Sequence, residues 1–293
     1  MYDNGLLDIK RVPVPVISVG NLSVGGSGKT SLVAFLSKEL SRELSVCIVL
    51  RGYKRKTRGT VVVSERGKLK TSWIESGDEA FLLAKTLPKV SVVVSEDRYK
   101  GARLAIEKLG AQLIVLDDGF QHRRLRRDID IVLLRKKDLE NKLLPEGTLR
   151  EPLENLSRAD AIVLSYQEIE PFDFHFGDKP VFKLFRSFSS LLNRDFREVP
   201  IESIRGREVI AFSGLGSNEQ FLKVLKNLGF KVKKFLSLRD HYDYRGFKLS
   251  EKETYITTPK DMVKLPEADN VFALNFTLRV EGLLPFIRER LHL

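Results

Sequence analysis

Apolar residues in the first half of the chain follow two rhythms. Short continuous runs at Val14–Val19, Val46–Leu50, Val90–Val94, Leu113–Leu116 and Ile129–Leu134 have the length and β-branched content of buried strands. Between them, stretches at about 30–43, 78–87 and 98–109 repeat apolar positions at helical spacing, as in Leu32, Phe35, Leu36 and Leu40. A hairpin-like segment lies near Thr60–Trp73. Strands apolar on both faces, alternating with helices, predict an α/β fold whose mainly parallel sheet is covered on both sides.

The turn-rich segment Pro145–Pro152 reads as a domain edge. Beyond it come strand-like runs at Ala161–Leu164, Val181–Phe185, Phe230–Leu236, Tyr255–Thr257 and Val271–Phe276. A strand–turn–helix spans Val209–Leu228, and a closing helix starts at Glu281. The turn Ser213-Gly-Leu-Gly-Ser217 has Glu219 where a dinucleotide fingerprint needs its third glycine, so it is expected to be a tight turn with Ser217 capping a helix. The prediction is two α/β/α domains joined by a hinge, residues 1–152 and 153–293, with the last helix packing back on the first domain.

One of the strand–helix junctions carries recognisable chemistry. Residues 21–31 read Asn-Leu-Ser-Val-Gly-Gly-Ser-Gly-Lys-Thr-Ser, between a β-rich run and a helical one, which is the context of a phosphate-binding P-loop. Ser23, Gly25, Gly26, Ser27, Gly28, Lys29, Thr30 and Ser31 are the candidate nucleotide contacts. Glycines let successive N–H groups converge on an anion, and the helix N-terminus adds partial positive charge. Lys29 would reach the β/γ-phosphates and the Thr30 hydroxyl would hold Mg²⁺. The strict pattern has Gly where this chain has Ser23, a departure that the Gly25–Gly28 run is expected to offset. A nucleoside triphosphate is the expected ligand.

Composition narrows the partners. The 293 residues carry a net charge of +11, favouring phosphorylated, nucleotide or anionic-surface partners. Five basic residues fall in Arg51–Arg58 and four in Arg123–Arg127, without the interleaved aromatics of a nucleic-acid platform, so no nucleic-acid partner is expected. The single cysteine, Cys47, excludes intrachain disulfides and reads as a buried apolar residue. No transmembrane run and no signal peptide is read.

A second constellation is less generic. The strand-like run Leu113–Leu116 ends in Asp117-Asp118, where a Mg²⁺-organising carboxylate belongs beside a P-loop, and Gly119-Phe-Gln-His122 follows. Adjacent acids point different ways, so one of Asp117 and Asp118 is expected to approach the metal closely. Together with residues 21–30, Leu116-Asp-Asp-Gly-Phe-Gln-His122 resembles the tetraacyldisaccharide 4′-kinase family, the lipid A 4′-kinases. Further segments agree: Arg51-Gly-Tyr-Lys-Arg55, Gly77-Asp-Glu79, Ser95-Glu-Asp-Arg98, Leu144–Pro152, Phe212–Gly216, Asp240-His-Tyr242 and Thr257–Asp261. The resemblance runs from about residue 10 to 276.

What the resemblance implies is specific. The γ-phosphoryl of ATP would pass, with Mg²⁺, to the 4′-hydroxyl of a tetraacyldisaccharide 1-phosphate, at the cytoplasmic face of a bacterial inner membrane. Lys29 and Thr30 would contact phosphate and metal, and Asp117 and Asp118 would organise the metal. Asp78, for which residues alone leave a helix N-terminal cap as the alternative, becomes the catalytic base, with His241 of the second domain as its partner. Arg98 and Arg150 would clamp phosphates, His122 would orient the aspartates or touch phosphate, and Gln121 and Glu151 are further carried-over positions. His175 and His292 are expected at the surface. Family members usually begin with a membrane-docking N-terminal helix, and this chain starts at Met1-Tyr-Asp-Asn-Gly5, just beyond where it would lie. Either the chain is truncated or it meets the membrane through other surfaces; the basic segment Arg51–Arg58 is expected to face anionic lipid headgroups or the substrate's 1-phosphate. A monomer is expected. The competing reading is a P-loop switch that hydrolyses nucleotide without phosphorylating a lipid.

Overall fold

The β-branched runs form strands, and in a computed structural model describing residues 8–215 and 218–293 they build two compact units. The first comprises Met1–Arg186 with Leu278–Leu293, and the second Ser187–Thr277.

The first unit begins with β1 (Val16–Asn21), α1 (Lys29–Leu40) and β2 (Val46–Leu50). A hairpin, β3 (Val61–Glu65) and β4 (Lys68–Leu69), leads to the short α2 (Trp73–Ser76) and to α3 (Asp78–Thr86). Then follow β5 (Ser91–Val94), α4 (Arg98–Leu109), β6 (Leu113–Asp117), β7 (Ile129–Leu134), β8 (Ala161–Leu164) and the start of β9 (Val181–Leu192). The sheet order is β9-β8-β7-β1-β6-β2-β5-β3-β4, parallel from β9 to β5 and antiparallel at the hairpin.

Strands β1, β2, β5, β6, β7 and β8 are buried along their whole length, as their apolar runs require. Side chains alternate between faces. Val46, Ile48 and Leu50 pack with Leu32, Leu36 and Leu83 on one side; Cys47 and Val49 pack with Ala102 and Ala105 of α4 on the other. Each such fully buried large side chain contributes about 1.5–3 kcal/mol. Cys47 is buried, as read, and burial pushes its thiol far up.

The second unit holds the rest of β9, β10 (Glu198–Pro200), β11 (Glu208–Ser213), α5 (Asn218–Asn227), β12 (Lys231–Ser237), β13 (Thr254–Thr257), α6 (Pro259–Met262) and most of β14 (Val271–Val280). Its parallel sheet runs β12-β11-β13-β14, with β10 antiparallel to β9. Phe221 and Leu225 of α5 cover one face; Phe212, Tyr244, Phe247 and Tyr255 form an aromatic cluster on the other, with ring centroids 5.1–6.2 Å apart. The expected Ser217 cap lies outside the described residues. The chain ends in α7 (Leu283–Leu291), whose Leu283 and Ile287 join the core of the first unit.

The boundary differs from the one expected at residue 152. Residues 153–164 continue the first sheet, because β8 pairs in parallel with β7 and the first residues of β9 pair with β8. The turn-rich segment before it lies against the P-loop strand: Val24 N–H donates to Thr148 O at 2.8 Å, and Arg150 N–H to Leu22 O at 2.6 Å. The crossings fall at Arg186–Ser187 and Thr277–Leu278, inside β9 and β14. No helix of the described residues is long and apolar enough to cross a membrane.

Candidate active site

Strand order places the site. β1 lies between β6 and β7, with Val19 opposite Asp117, so the loops leaving β1 and β6 emerge side by side at the carboxyl edge. Gly20 permits a close approach there: a Cβ on it would lie 2.5 Å from Phe120 Cβ and 2.9 Å from its backbone N. Nothing larger than glycine lets the Asp117–His122 segment fold over the start of the P-loop.

The two segments interlock. Helix α1 starts at Lys29, capped by Gly28. Lys29 Nζ donates to Asn21 Oδ1 at 2.8 Å and lies 3.5 Å from Asp118 Oδ1, while the Thr30 hydroxyl donates to Asp117 Oδ2 at 2.8 Å. Arg150 grips Asp118 with both terminal nitrogens, at 2.8 and 3.0 Å, and donates to Asn21 Oδ1 at 2.6 Å. Gln121 Nε2 donates to Asn21 O at 2.9 Å. Ser23 and Ser27 are buried, Gly25 and Gly26 are exposed, and Ser31 sits half-buried in the first turn of α1.

Burial sets the charge states. Asp117 is pushed up to about 7 by burial and by the nearby Glu79 carboxylate, with Lys29 and the Thr30 hydrogen bond opposing. Burial would raise Asp118 too, but the Arg150 hydrogen bond and the Lys29 and Arg150 charges outweigh it and hold it below the ordinary carboxylate range. The two adjacent acids are therefore unequal: Asp118 is neutralised by cations, whereas Asp117 lacks enough positive charge. Arg98 is buried, donates to Ser95 O at 3.0 Å, and feels the charges of both aspartates. His122 falls to about 4 through burial and the Arg98 charge, so it is neutral at pH 7; its buried Nε2 has no hydrogen-bond partner among the described residues.

Those features test the fit of a triphosphate and Mg²⁺. No three His, Cys, Asp or Glu side chains converge into a metal cluster among the described residues. A hydroxyl and an under-neutralised carboxylate in contact are nevertheless the donor set of a Mg²⁺ that takes its other ligands from water and phosphate. The Ser27 hydroxyl, buried in the P-loop with no hydrogen-bond partner among the described residues, also suits an anion. The residues fit the group, and Asp117 with Thr30 fits it better than Asp118.

Asp78 opens α3 directly after Gly77 and is 6% exposed; its Oδ1 accepts the Glu79 N–H at 2.9 Å. Gly77 takes φ +88°, and a Cβ there would meet Tyr53 O at 2.8 Å, so the Arg51–Arg55 turn and the start of α3 are locked together. Glu151 goes elsewhere: it pairs with Arg158 and accepts from Asn155 at 2.7 Å, and Arg158 stacks 4.4 Å over the Phe120 ring. Its contacts are those of a structural ion pair. His241 lies in the second unit at φ +57°, its Nε2 3.3 Å from Lys260 Nζ and 3.8 Å from Asp240 Oδ2. His175 and His292 are exposed, as read.

Two members of the site were not singled out from sequence. Asn21 is the common acceptor of Lys29, Arg150 and Gln121, and its place at the end of a buried strand before the glycines was the available clue. Glu79 faces Asp117 closely enough to raise it, and only its adjacency to Asp78 hinted at this.

Comparison with known proteins bears on the fold and the family. A family model described as Tetraacyldisaccharide-1-P 4'-kinase matches residues 1–292. A tetraacyldisaccharide 4'-kinase of Aquifex aeolicus is 63% identical over 281 residues, covering 96% of this chain and 89% of the relative. One of Halothermothrix orenii is 33% identical, covering 96% and 84%. A crystal structure of LpxK from Aquifex aeolicus, described as in complex with ATP, superposes with a TM-score of 0.93 at 61% identity, covering 99% of this chain and 91% of that one. The α/β fold and the resemblance read from the motifs are thus both borne out, and the chain belongs to the tetraacyldisaccharide-1-P 4'-kinase family.

Proposed function

We propose that this chain transfers the γ-phosphoryl group of ATP to the 4′-hydroxyl of a tetraacyldisaccharide 1-phosphate, with Asp78 as the base that takes the hydroxyl proton. The new bond joins the 4′-oxygen to the γ-phosphorus, the bond to the β-bridging oxygen breaks, ADP leaves, and the proton ends on the Asp78 carboxylate. The observation that carries the reading is the pairing of Thr30 with an under-neutralised Asp117 beside the P-loop lysine.

Each residue then has a task. Lys29 would leave Asn21 and Asp118 for the β/γ-phosphates, and the Gly25–Ser31 backbone would cradle them. Thr30 and Asp117 would hold Mg²⁺, which supplies neutralisation of the charge between the β- and γ-phosphoryl groups. Arg98 and Arg150 present guanidinium groups beside Asp118 and would bind phosphate oxygens. Gln121 Oε1 is an unpaired acceptor and the Nε2 of neutral His122 is unpaired, which suits both to hydroxyl groups of the sugar. His241 would be the partner that orients Asp78 or tunes its basicity; such assistance is typically worth about 10²–10⁴-fold.

Arg51, Lys54, Lys56 and Arg58 are exposed around Tyr53, itself 59% exposed, and support docking on an anionic membrane surface at its cytoplasmic face. Every residue invoked comes from one chain, so a monomer suffices. The test is transfer of label from γ-labelled ATP to the glycolipid by the parent and by Asp78→Ala and His241→Ala variants. Labelled lipid from the parent, slowed by orders of magnitude in both variants, is the expected result. ATP hydrolysis without labelled lipid would overturn the kinase reading; labelling that survives both substitutions would overturn the assigned base and its partner.

A further inference from the structure

The P-loop departs from its pattern at Ser23, and the structure gives that residue a partner. Ser23 is fully buried, and its hydroxyl accepts from Arg135 Nη2 at 2.6 Å. Arg135 follows the last residue of β7 and is itself 6% exposed. Its charge is met by Asp138, 1% exposed, which accepts from Nη2 at 2.7 Å, from Nε at 3.1 Å, and from the Arg135 N–H at 2.9 Å. With orientation fixed this way, Nη1 donates to Gly26 O at 3.3 Å, and Nη2 also approaches Val24 O at 3.5 Å.

A second donor reaches the same carbonyl from another strand. Tyr166, two residues past β8, donates its hydroxyl to Gly26 O at 3.0 Å. The Arg186 guanidinium stacks 4.3 Å over its ring and is held in turn by Glu168, whose Oε1 accepts from Arg186 Nε at 2.6 Å. Burial raises the phenol above its ordinary value, so it remains a donor at physiological pH.

These contacts bear on anion binding through peptide geometry. In a trans peptide the carbonyl of one residue and the N–H of the next point to opposite sides. Donors that hold Gly26 O and Val24 O outward therefore turn the Ser27 and Gly25 N–H groups the other way. A phosphate cradle needs its N–H groups inward and its carbonyls averted, because a carbonyl turned toward phosphate repels it. We infer that Arg135 and Tyr166 are positioning residues that set the peptide planes of the P-loop for phosphate, with Ser23 as the anchor. Neither need touch the nucleotide. This rests on the ATP reading above.

The test uses Tyr166→Phe and Ser23→Ala, which remove one hydroxyl each and leave the Arg135–Asp138 pair intact. A neutral hydrogen bond of ordinary strength predicts a rise of about threefold to tenfold in Kd and KM for Mg-ATP in each variant. In Tyr166→Phe the kcat and the KM for the glycolipid should stay within about twofold of the parent, since that substitution alters no group at the reacting atoms. Amide exchange at residues 23–28 should speed up while the melting temperature holds. Unchanged ATP affinity in both variants would overturn the inference, as would a fall in kcat with ATP affinity retained. Tyr166→Phe alone decides if Ser23→Ala fails to fold. If the parent itself does not bind ATP, the functional reading fails rather than this one.

Discussion

Replacing Asp117 by Asn should stabilise the protein while stopping its reaction. The carboxyl is 4% exposed, and burial together with Glu79 lifts it from 3.8 to about 7. At roughly 1.4 kcal/mol per pKa unit, holding that carboxylate ionised in the folded state costs up to about 4 kcal/mol near pH 8. Local relaxation reduces the penalty, so about 2–4 kcal/mol is expected on removing the charge. Asparagine keeps the shape and an acceptor for the Thr30 hydroxyl, so little else changes. The sign follows from proton binding. The folded-state value lies above the unfolded one, so between about pH 4 and 7 the folded chain holds more protons, and the parent loses stability as pH rises through that window. The variant does not titrate there. In Mg²⁺-free buffer, at roughly 2–4 °C per kcal/mol for a unit of this size, it should melt about 4–16 °C above the parent near pH 8. The gap should close below about pH 4. Mg-ATP should narrow the gap by stabilising the parent more, and phosphoryl transfer by the variant should drop by at least about 10²-fold. Equal melting temperatures near pH 8, or a gap that does not change with pH, would refute the electrostatic account.

Asp78→Asn should lower kcat by about 10²–10⁴-fold while leaving the Kd for Mg-ATP within about threefold, as measured by single-turnover kinetics beside equilibrium binding. Gly77→Ala forces a side chain into φ +88° and against Tyr53 O. It should destabilise the first unit by about 1–3 kcal/mol, and because Asp78 is the next residue it should lower kcat beyond what the stability loss explains. Binding to anionic vesicles should weaken steeply with salt, and Lys54→Glu/Lys56→Glu should weaken it at low salt, at about 1 kcal/mol per basic residue lost from the surface; sedimentation with phosphatidylglycerol vesicles reads both, and salt-independent binding would sink the membrane role.

How far the sequence carries the structure depends on whether a feature is local. Strands β1, β2 and β6 are legible because each is buried on both faces and must be apolar throughout. The P-loop and the Asp117–His122 segment are legible because the motifs proposed to hold phosphate and metal are runs of consecutive residues. The domain boundary is not legible from composition. It falls inside β9 and β14, two strands that run from one unit into the other without a turn, so no glycine or proline marks the crossing. The segment at 145–152 misleads for the opposite reason. It is rich in turns because it wraps the P-loop strand and delivers Arg150 to Asp118, so a turn signal here marks the site and not a domain edge. Asn21 and Arg135 are invisible for a third reason. Each acts through partners far along the chain, at separations of 129 residues from Asn21 to Arg150 and 112 from Ser23 to Arg135, and no pattern in one sequence reports such a pair. The residues proposed to make the chemistry are thus readable one by one, whereas those that hold them in place become readable only once the sheet order brings distant strand ends together.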